Sequence, residues 1–355
     1  MPGLVPGIHV LRYCQDVGVP GLNNKPGHDG GVTMQLTIAL ERYDRHFPFF
    51  DGTVKPPKGI ELKTMQVGQA TPARDGIDRH GRMLKGEFDV AEFSMSTYLM
   101  AIDRKLPITG VPIFPRRLFS AGLFFVRADS PLTTLADLKG KRVAIRAFQT
   151  TLSLLAKGDL KFEYGVPWED IHWLLEDEEK IAFTPKPGMK LETLPKGTDV
   201  GHLLRDGKAD AVIQPHPPAS IMNGEVPVRR LFADVDAEEL RYFRKYGYWP
   251  IMHIMAIRHD AIARDPGLPR AVMEMYGEAR ALADDYFSDP NFSSLAFGRR
   301  YFEREKEKFG GDIWPNGLAA NAKNLERFIM YSRDQGLIKG EFAVDDLIET
   351  SVRDT

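Results

Sequence analysis

From Met34 onward, short apolar runs alternate with stretches of helical periodicity, and their order limits what this chain can fold into. "LTIAL" (36–40), "IELKTMQV" (60–67) and "FDVAEF" (88–93) read as strands. "PARDGIDRHGRMLKGE", between the last two, reads as a helix ending near Gly86. "ITGVPIFP" (108–115) and "GLFFVRA" (122–128) follow with no long helix between them. "KRVAIR", "IHWLL" (171–175), "DAVIQP" (210–215), "VRRLF" (228–232) and "WPIMHIMAIRHD" (249–260) supply further strands. Pro and Gly punctuate 179–197, which reads as an irregular excursion. The remainder, 268–287, about 295–308 and 318–335, is helical. Such alternation specifies an α/β chain. Its order divides the chain into two lobes, the first interrupted by the second: 34–127 and 252–355, with 128–251 between them. Crossings near 127–130 and 250–253 form the hinge.

Composition narrows the function. A chain of 355 residues with net charge −2 and no basic tract offers no long-range attraction to nucleic acid or an acidic membrane. No run approaches the roughly 18 apolar residues of a membrane span. A single cysteine, Cys14, provides neither a disulfide framework nor a thiolate metal cluster. Residues 1–33 are rich in Gly and Pro and lack the features of a secretory signal, so they read as a disordered tail or an over-called start. The expected compartment is the cytoplasm. The C-terminal helices can bury an apolar face against lobe one or against a second copy.

In a two-lobed α/β protein, the carboxyl ends of strands and the N-termini of the following helices line a shared cleft. In "FDVAEFSMSTYLM" a buried strand hands over to a helix at Glu92, Ser94 and Ser96. A carboxylate and hydroxyls at that junction suit a ligand, although capping and solvation are the plainer roles for them. "ERYDRHF" (41–47) follows the first strand: Arg42 or Arg45 can clamp a carboxylate, Tyr43 can meet a phenol, and His46 reads as a packed loop histidine. In "FPRRLF", adjacent Arg116 and Arg117 point to opposite sides of an extended backbone, so one of them faces the cleft. Arg146, Gln149, Thr150 and Thr151 repeat the strand-to-helix arrangement in the second lobe. His216, in "QPHPP", is rigidly mounted between prolines. His253 lies on an apolar strand at the hinge, where a satisfied core histidine is the alternative, and Trp249 can close over an aromatic ring. No metal-ligand spacing and no nucleotide loop occurs, so no cofactor is expected; a divalent ion held by His216, His253 and Glu92 is the exception the spacing leaves open.

"LADLKGKRVAIR" with "DGKADAVI" resembles the second lobe of type II solute-binding proteins. "LERYDRHFPFFDGTVKPPKGIEL", "GEFDVAEFSMSTYL", "VPIFPRRLF", "HPP", "WPIMHIMAIRHD" and "WPNGL" together resemble the 4,5-dihydroxyphthalate decarboxylase family, built on that scaffold. The resemblance spans 34–340 and departs from the family at His216, where an arginine is expected before the double proline. It implies a two-lobed type II periplasmic-binding-protein-like fold and non-oxidative decarboxylation of a hydroxylated aromatic acid, 4,5-dihydroxyphthalate to protocatechuate. The site would hold His253 or His216 as acid, Glu92 as phenol base, and Arg45, Arg116 and Arg146 as clamps. Capture of an aromatic or dicarboxylic acid without chemistry is the alternative.

Overall fold

The computed structural model describes residues 33–68 and 74–355. The expectation for the 1–33 tail therefore lies, Thr33 apart, outside the described residues. In chain order the strands are β1 (Met34–Leu40), β2 (Ile60–Gln66), β3 (Val90–Ser94), β4 (Ile108–Val111), β5 (Phe124–Arg127) and β6 (Arg142–Ile145). They continue as β7 (His172–Leu175), β8 (Lys190–Thr193), β9 (Ala211–Ile213), β10 (Val228–Arg230) and β11 (His253–Arg258). Two sheets result, of order β2-β1-β3-β11-β4 and β10-β5-β9-β6-β7-β8.

β1, β2 and β3 run parallel, and β11 returns antiparallel between β3 and β4. The C-terminal ends of β1 and β3 therefore share an edge with the first residue of β11, His253. β6, β7 and β9 are likewise parallel and present their C-terminal ends together in the second sheet. Every residue of β3 is buried, as expected of a central strand covered on both faces.

Three expectations change. β5, assigned to the first lobe (34–127) from its place in the chain, pairs antiparallel with β9 and β10. The chain thus changes sheet between Val111 and Phe124, and returns between Arg230 and His253. β8 forms inside the segment read as irregular. It is an edge strand with mostly exposed side chains, so it carries no apolar alternation to reveal it.

Of the helix expected across 72–87, the described residues form Arg79–Leu84, capped by Asp78 in the left-handed conformation (φ 60°). The C-terminal helix Ala322–Asp334 packs on Thr151–Phe162 of the second lobe. Contact is so close that a Cβ on Gly158 would lie 2.1 Å from the Tyr331 ring. Among the described residues no helix is long and apolar enough to cross a membrane.

Candidate active site

The register of β3 and β11 builds the centre of the site. Ser94 lies opposite His253 and Glu92 opposite Met255, so Glu92 and His253 are diagonal neighbours on one face. His253 Nδ1 is hydrogen-bonded to Glu92 Oε1. The backbone N–H of Glu41 donates to Glu92 Oε2 at 3.2 Å. Behind them lies Arg79, whose Nη2 is 3.3 Å from Glu92 Oε1 and whose Nε donates to the Glu92 backbone carbonyl at 2.7 Å. Its Nη1 donates to the Val67 carbonyl and stands 3.7 Å from the Glu41 carboxylate.

Glu92, Arg79 and Glu41 are all buried. Burial alone would push the Glu92 carboxyl up, but the Arg79 guanidinium and His253 outweigh it and hold it well below the usual range. Burial pushes His253 down to about 4 against the pull of Glu92. At neutral pH this is a carboxylate facing a neutral imidazole. With Nδ1–H directed at Glu92, the acceptor lone pair sits on Nε2.

His253 forms part of the wall of a cavity of about 180 Å³ between the two lobes. About 150 Å³ suffices to hold benzene, so the space suits a one-ring ligand. His80, Ser94 and Arg116 line it from one side; Arg146, Gln149, Thr150 and His216 line it from the other. Ser94 Oγ and Thr151 Oγ1 are hydrogen-bonded across the floor at 2.9 Å, joining two helix N-termini. Lys180 Nζ reaches Asp78 across the lobes at 3.0 Å.

Most cations here are already matched by carboxylates. Arg79 holds Glu92, Arg146 Nε donates to Asp177 at 2.7 Å, and Lys180 holds Asp78. Arg116 has no carboxylate in contact among the described residues; its Nη2 lies 3.4 Å from His216 Nε2. An incoming anion would find its uncompensated charge there.

Of the residues expected at the site, His253, His216, Ser94, Arg116, Arg146, Gln149 and Thr150 do line the cavity. Gln149 is also a structural pin, since its side-chain amide bonds both the N–H and the carbonyl of Ile181 at 3.2 Å. Glu92 stands behind His253 and does not face the cavity. The arginine pair splits as its alternation requires, but Arg117 turns into the core. There it donates to the carbonyls of Trp249 and Pro315 and to Asn321, because a buried guanidinium needs several acceptors.

Arg45 and Trp249 face away from this cavity. Arg45 donates to the Pro115 carbonyl at 2.6 Å and lies between the rings of Tyr43 and Trp314. Trp249 stacks on Phe119 and borders a separate groove with Trp314. Tyr43 is buried short of the cavity, and burial, then Glu92, pushes its phenol up to about 12. Among the described residues no three His, Cys, Asp or Glu side chains come together as a metal cage. His216, Glu92 and His253 thus do not form the triad that their types allowed.

Arg79 and His80 were missed, because their segment reads as an ordinary amphipathic helix. The available signal was the arginine and histidine at the first two positions of a short helix leading into the strand of Glu92.

His46 is the packed histidine its setting suggested. Its Nδ1 meets the Glu41 carbonyl at 2.7 Å, and burial pushes it down to about 4. The unfolded chain therefore gains a proton on this residue from about pH 6.5 downward, while the folded chain resists until about pH 4. His46 is expected to lower stability across that window by a few kcal/mol at most, and His253 and His80, also held low by burial, add in the same direction. Urea denaturation from pH 7 to pH 4 checks this, and His46→Asn should reduce the slope by the His46 share.

No protein-family model matches the chain. It is 31% identical over 314 residues to the 4,5-dihydroxyphthalate decarboxylase of Comamonas testosteroni, covering 86% of this chain and 93% of that protein. It is 27% identical over 222 residues to the 4,5-dihydroxyphthalate decarboxylase of Pseudomonas putida, covering 61% of this chain and 83% of that one. Among solved structures it is similar to the periplasmic aliphatic sulphonate binding protein SsuA from Escherichia coli. That likeness has a TM-score of 0.53 at 16% identity, covers 89% and 92% of the two chains, and speaks for the fold. Two-lobed and of the type II periplasmic-binding-protein-like class, the chain belongs to the 4,5-dihydroxyphthalate decarboxylase family and is a carboxy-lyase.

Proposed function

We propose that this protein decarboxylates a hydroxylated aromatic dicarboxylic acid, 4,5-dihydroxyphthalate to protocatechuate, without a cofactor. The observation that carries the reading is the buried Arg79–Glu92–His253 chain. It ends in a neutral imidazole at the wall of a one-ring cavity whose uncompensated cation is Arg116.

Each phenolic oxygen of this substrate is para to a carboxylate. His253 Nε2 takes the phenol proton, and the carboxylate of Glu92 stabilises the imidazolium that forms. Electron density then moves through the ring to the carbon bearing the departing group. That carbon takes up a proton, carbon dioxide leaves, and the pair from the broken bond restores the ring. The phenolate recovers its proton from His253. One proton is consumed and nothing is oxidised. In this reading the base is His253, and Glu92 is a positioning residue that acts through it.

Arg116 with His216 takes the retained carboxylate. The Thr150 hydroxyl and the helix N-terminus at Thr151 supply further donors. Closing the two lobes, with Lys180 on Asp78, excludes water from the ring.

The test is incubation with 4,5-dihydroxyphthalate, with a chelator and with added divalent metal, following ring products by chromatography and released gas. Protocatechuate in many turnovers, indifferent to the chelator, is the expected result. Unchanged substrate together with a thermal shift would mean capture without chemistry. Arg116→Gln is expected to raise KM by about tenfold or more with a smaller change in kcat. The basis is that a hydrogen bond to a charged group contributes roughly 1.5–3 kcal/mol.

A further inference from the structure

The reaction as written needs a second group, one that hands a proton to the ring carbon. We propose that this group is His80, acting as general acid beside the base His253. The assignment rests on the decarboxylase reading and adds to it a residue with a distinct task.

Position is the first argument. His80 lines the cavity on the same side as His253. The two imidazoles meet edge to face with centroids 5.2 Å apart, and Phe93 holds the other side of His80. The phenolic oxygen and the carbon losing its carboxylate are para on a single ring, so base and acid must stand within one ring's span of each other. His216 does not suit the task, because it is exposed and beside Arg116, at the end that takes the retained carboxylate.

The second argument is an unmet hydrogen bond. His80 Nε2 is sealed from solvent and has no partner among the described residues. A buried polar atom left unsatisfied carries a free-energy cost, and such atoms in native structures call for an explanation. Nε2 faces protein rather than the cavity that His80 lines, so a turn of the ring brings it to a substrate group.

The third is how the residue is mounted. The N-cap and first two residues of its helix meet the site in succession: Asp78 holds Lys180 of the other lobe, Arg79 holds Glu92, and His80 meets His253. Lobe closure thus bears directly on the placement of His80.

Among the protein's own groups, burial, then His253 and Arg79, hold His80 neutral, with Arg116 adding to them and Glu92 opposing. A dianionic substrate reverses that balance and favours the imidazolium. The proton then passes from His80 nitrogen to the ring carbon as His253 takes the phenol proton. The bond to the carboxylate breaks, its pair returns to the ring, and water reprotonates His80.

His80→Gln tests the assignment, with fold checked by thermal melting. Expected are a fall in kcat of roughly 10²–10⁴-fold, little change in KM, and loss of the high-pH limb of the kcat profile. Imidazole added to His80→Ala should restore part of the rate. A structural residue would move neither the limb nor the rescue. If the parent turns over and His80→Gln keeps kcat within about tenfold with both limbs intact, His80 is not the acid and the decarboxylase reading stands. If the parent itself releases no carbon dioxide, both readings fall.

Discussion

The His253→Asn variant is expected to bind 4,5-dihydroxyphthalate and turn it over roughly 10²–10⁴-fold more slowly than the parent. Asparagine keeps a donor that can reach Glu92, so the buried carboxylate stays partnered and the fold is retained. What it lacks is the ring nitrogen that faces the cavity. Because Arg116 and the second-lobe hydroxyls are untouched, KM should change far less than kcat.

Glu92→Gln gives a related result by another route. The amide can turn its NH₂ toward His253 Nδ1 and force the opposite tautomer, which places the proton on Nε2 and removes the base. Removing the carboxylate also removes the charge that draws His253 upward, so any residual acid limb moves to lower pH. Steady-state rates and thermal shifts on the two variants check both statements. A His253→Asn enzyme within about tenfold of the parent kcat would remove His253 from the mechanism.

Replacing Arg79 by methionine is expected to destabilise the protein by about 3–5 kcal/mol, the usual consequence of stripping one partner from a buried ion pair. Arg79 meets Glu92, Glu41 and two backbone carbonyls, and almost none of it reaches water. Without it Glu92 remains buried with only His253 and one backbone donor.

The pH dependence should change sign as well. In the parent, Glu92 lies below its unfolded value, so its contribution is present above about pH 4.5 and is lost as pH falls through the folded value. In Arg79→Met the upward push of burial wins, Glu92 rises above its unfolded value, and its contribution improves as pH falls. Urea midpoints at pH 5 and pH 8 distinguish the two patterns. Adding Glu92→Gln should recover part of the loss, because the residues act as one unit and their effects do not add.

The alternation of strands and helices and the two lobes were legible in the sequence, because burial on a pleat or helix leaves a period that can be read. The six segments from "LERYDRHF" to "WPNGL" carried the family as well. Local pattern also placed Arg146, Thr150, Ser94 and His216 at the cavity, since each ends a strand or lies within five residues after one.

Only the tertiary structure decided which polar groups meet. Glu92 and His253 are 161 positions apart, and they touch because β11 inserts antiparallel beside β3 in one particular register. Nothing local to either strand encodes that register. Arg116 faces the cavity and Arg117 the core because acceptors for a buried guanidinium, including Pro315 and Asn321, arrive from 198 and 204 residues away. Arg79 and His80 escaped notice for the same reason, lying on a short helix whose polar first turn resembles a solvated surface until β3 and β11 close over it. Backbone periodicity is a property of neighbours in the chain; partnership between buried charges is a property of neighbours in space.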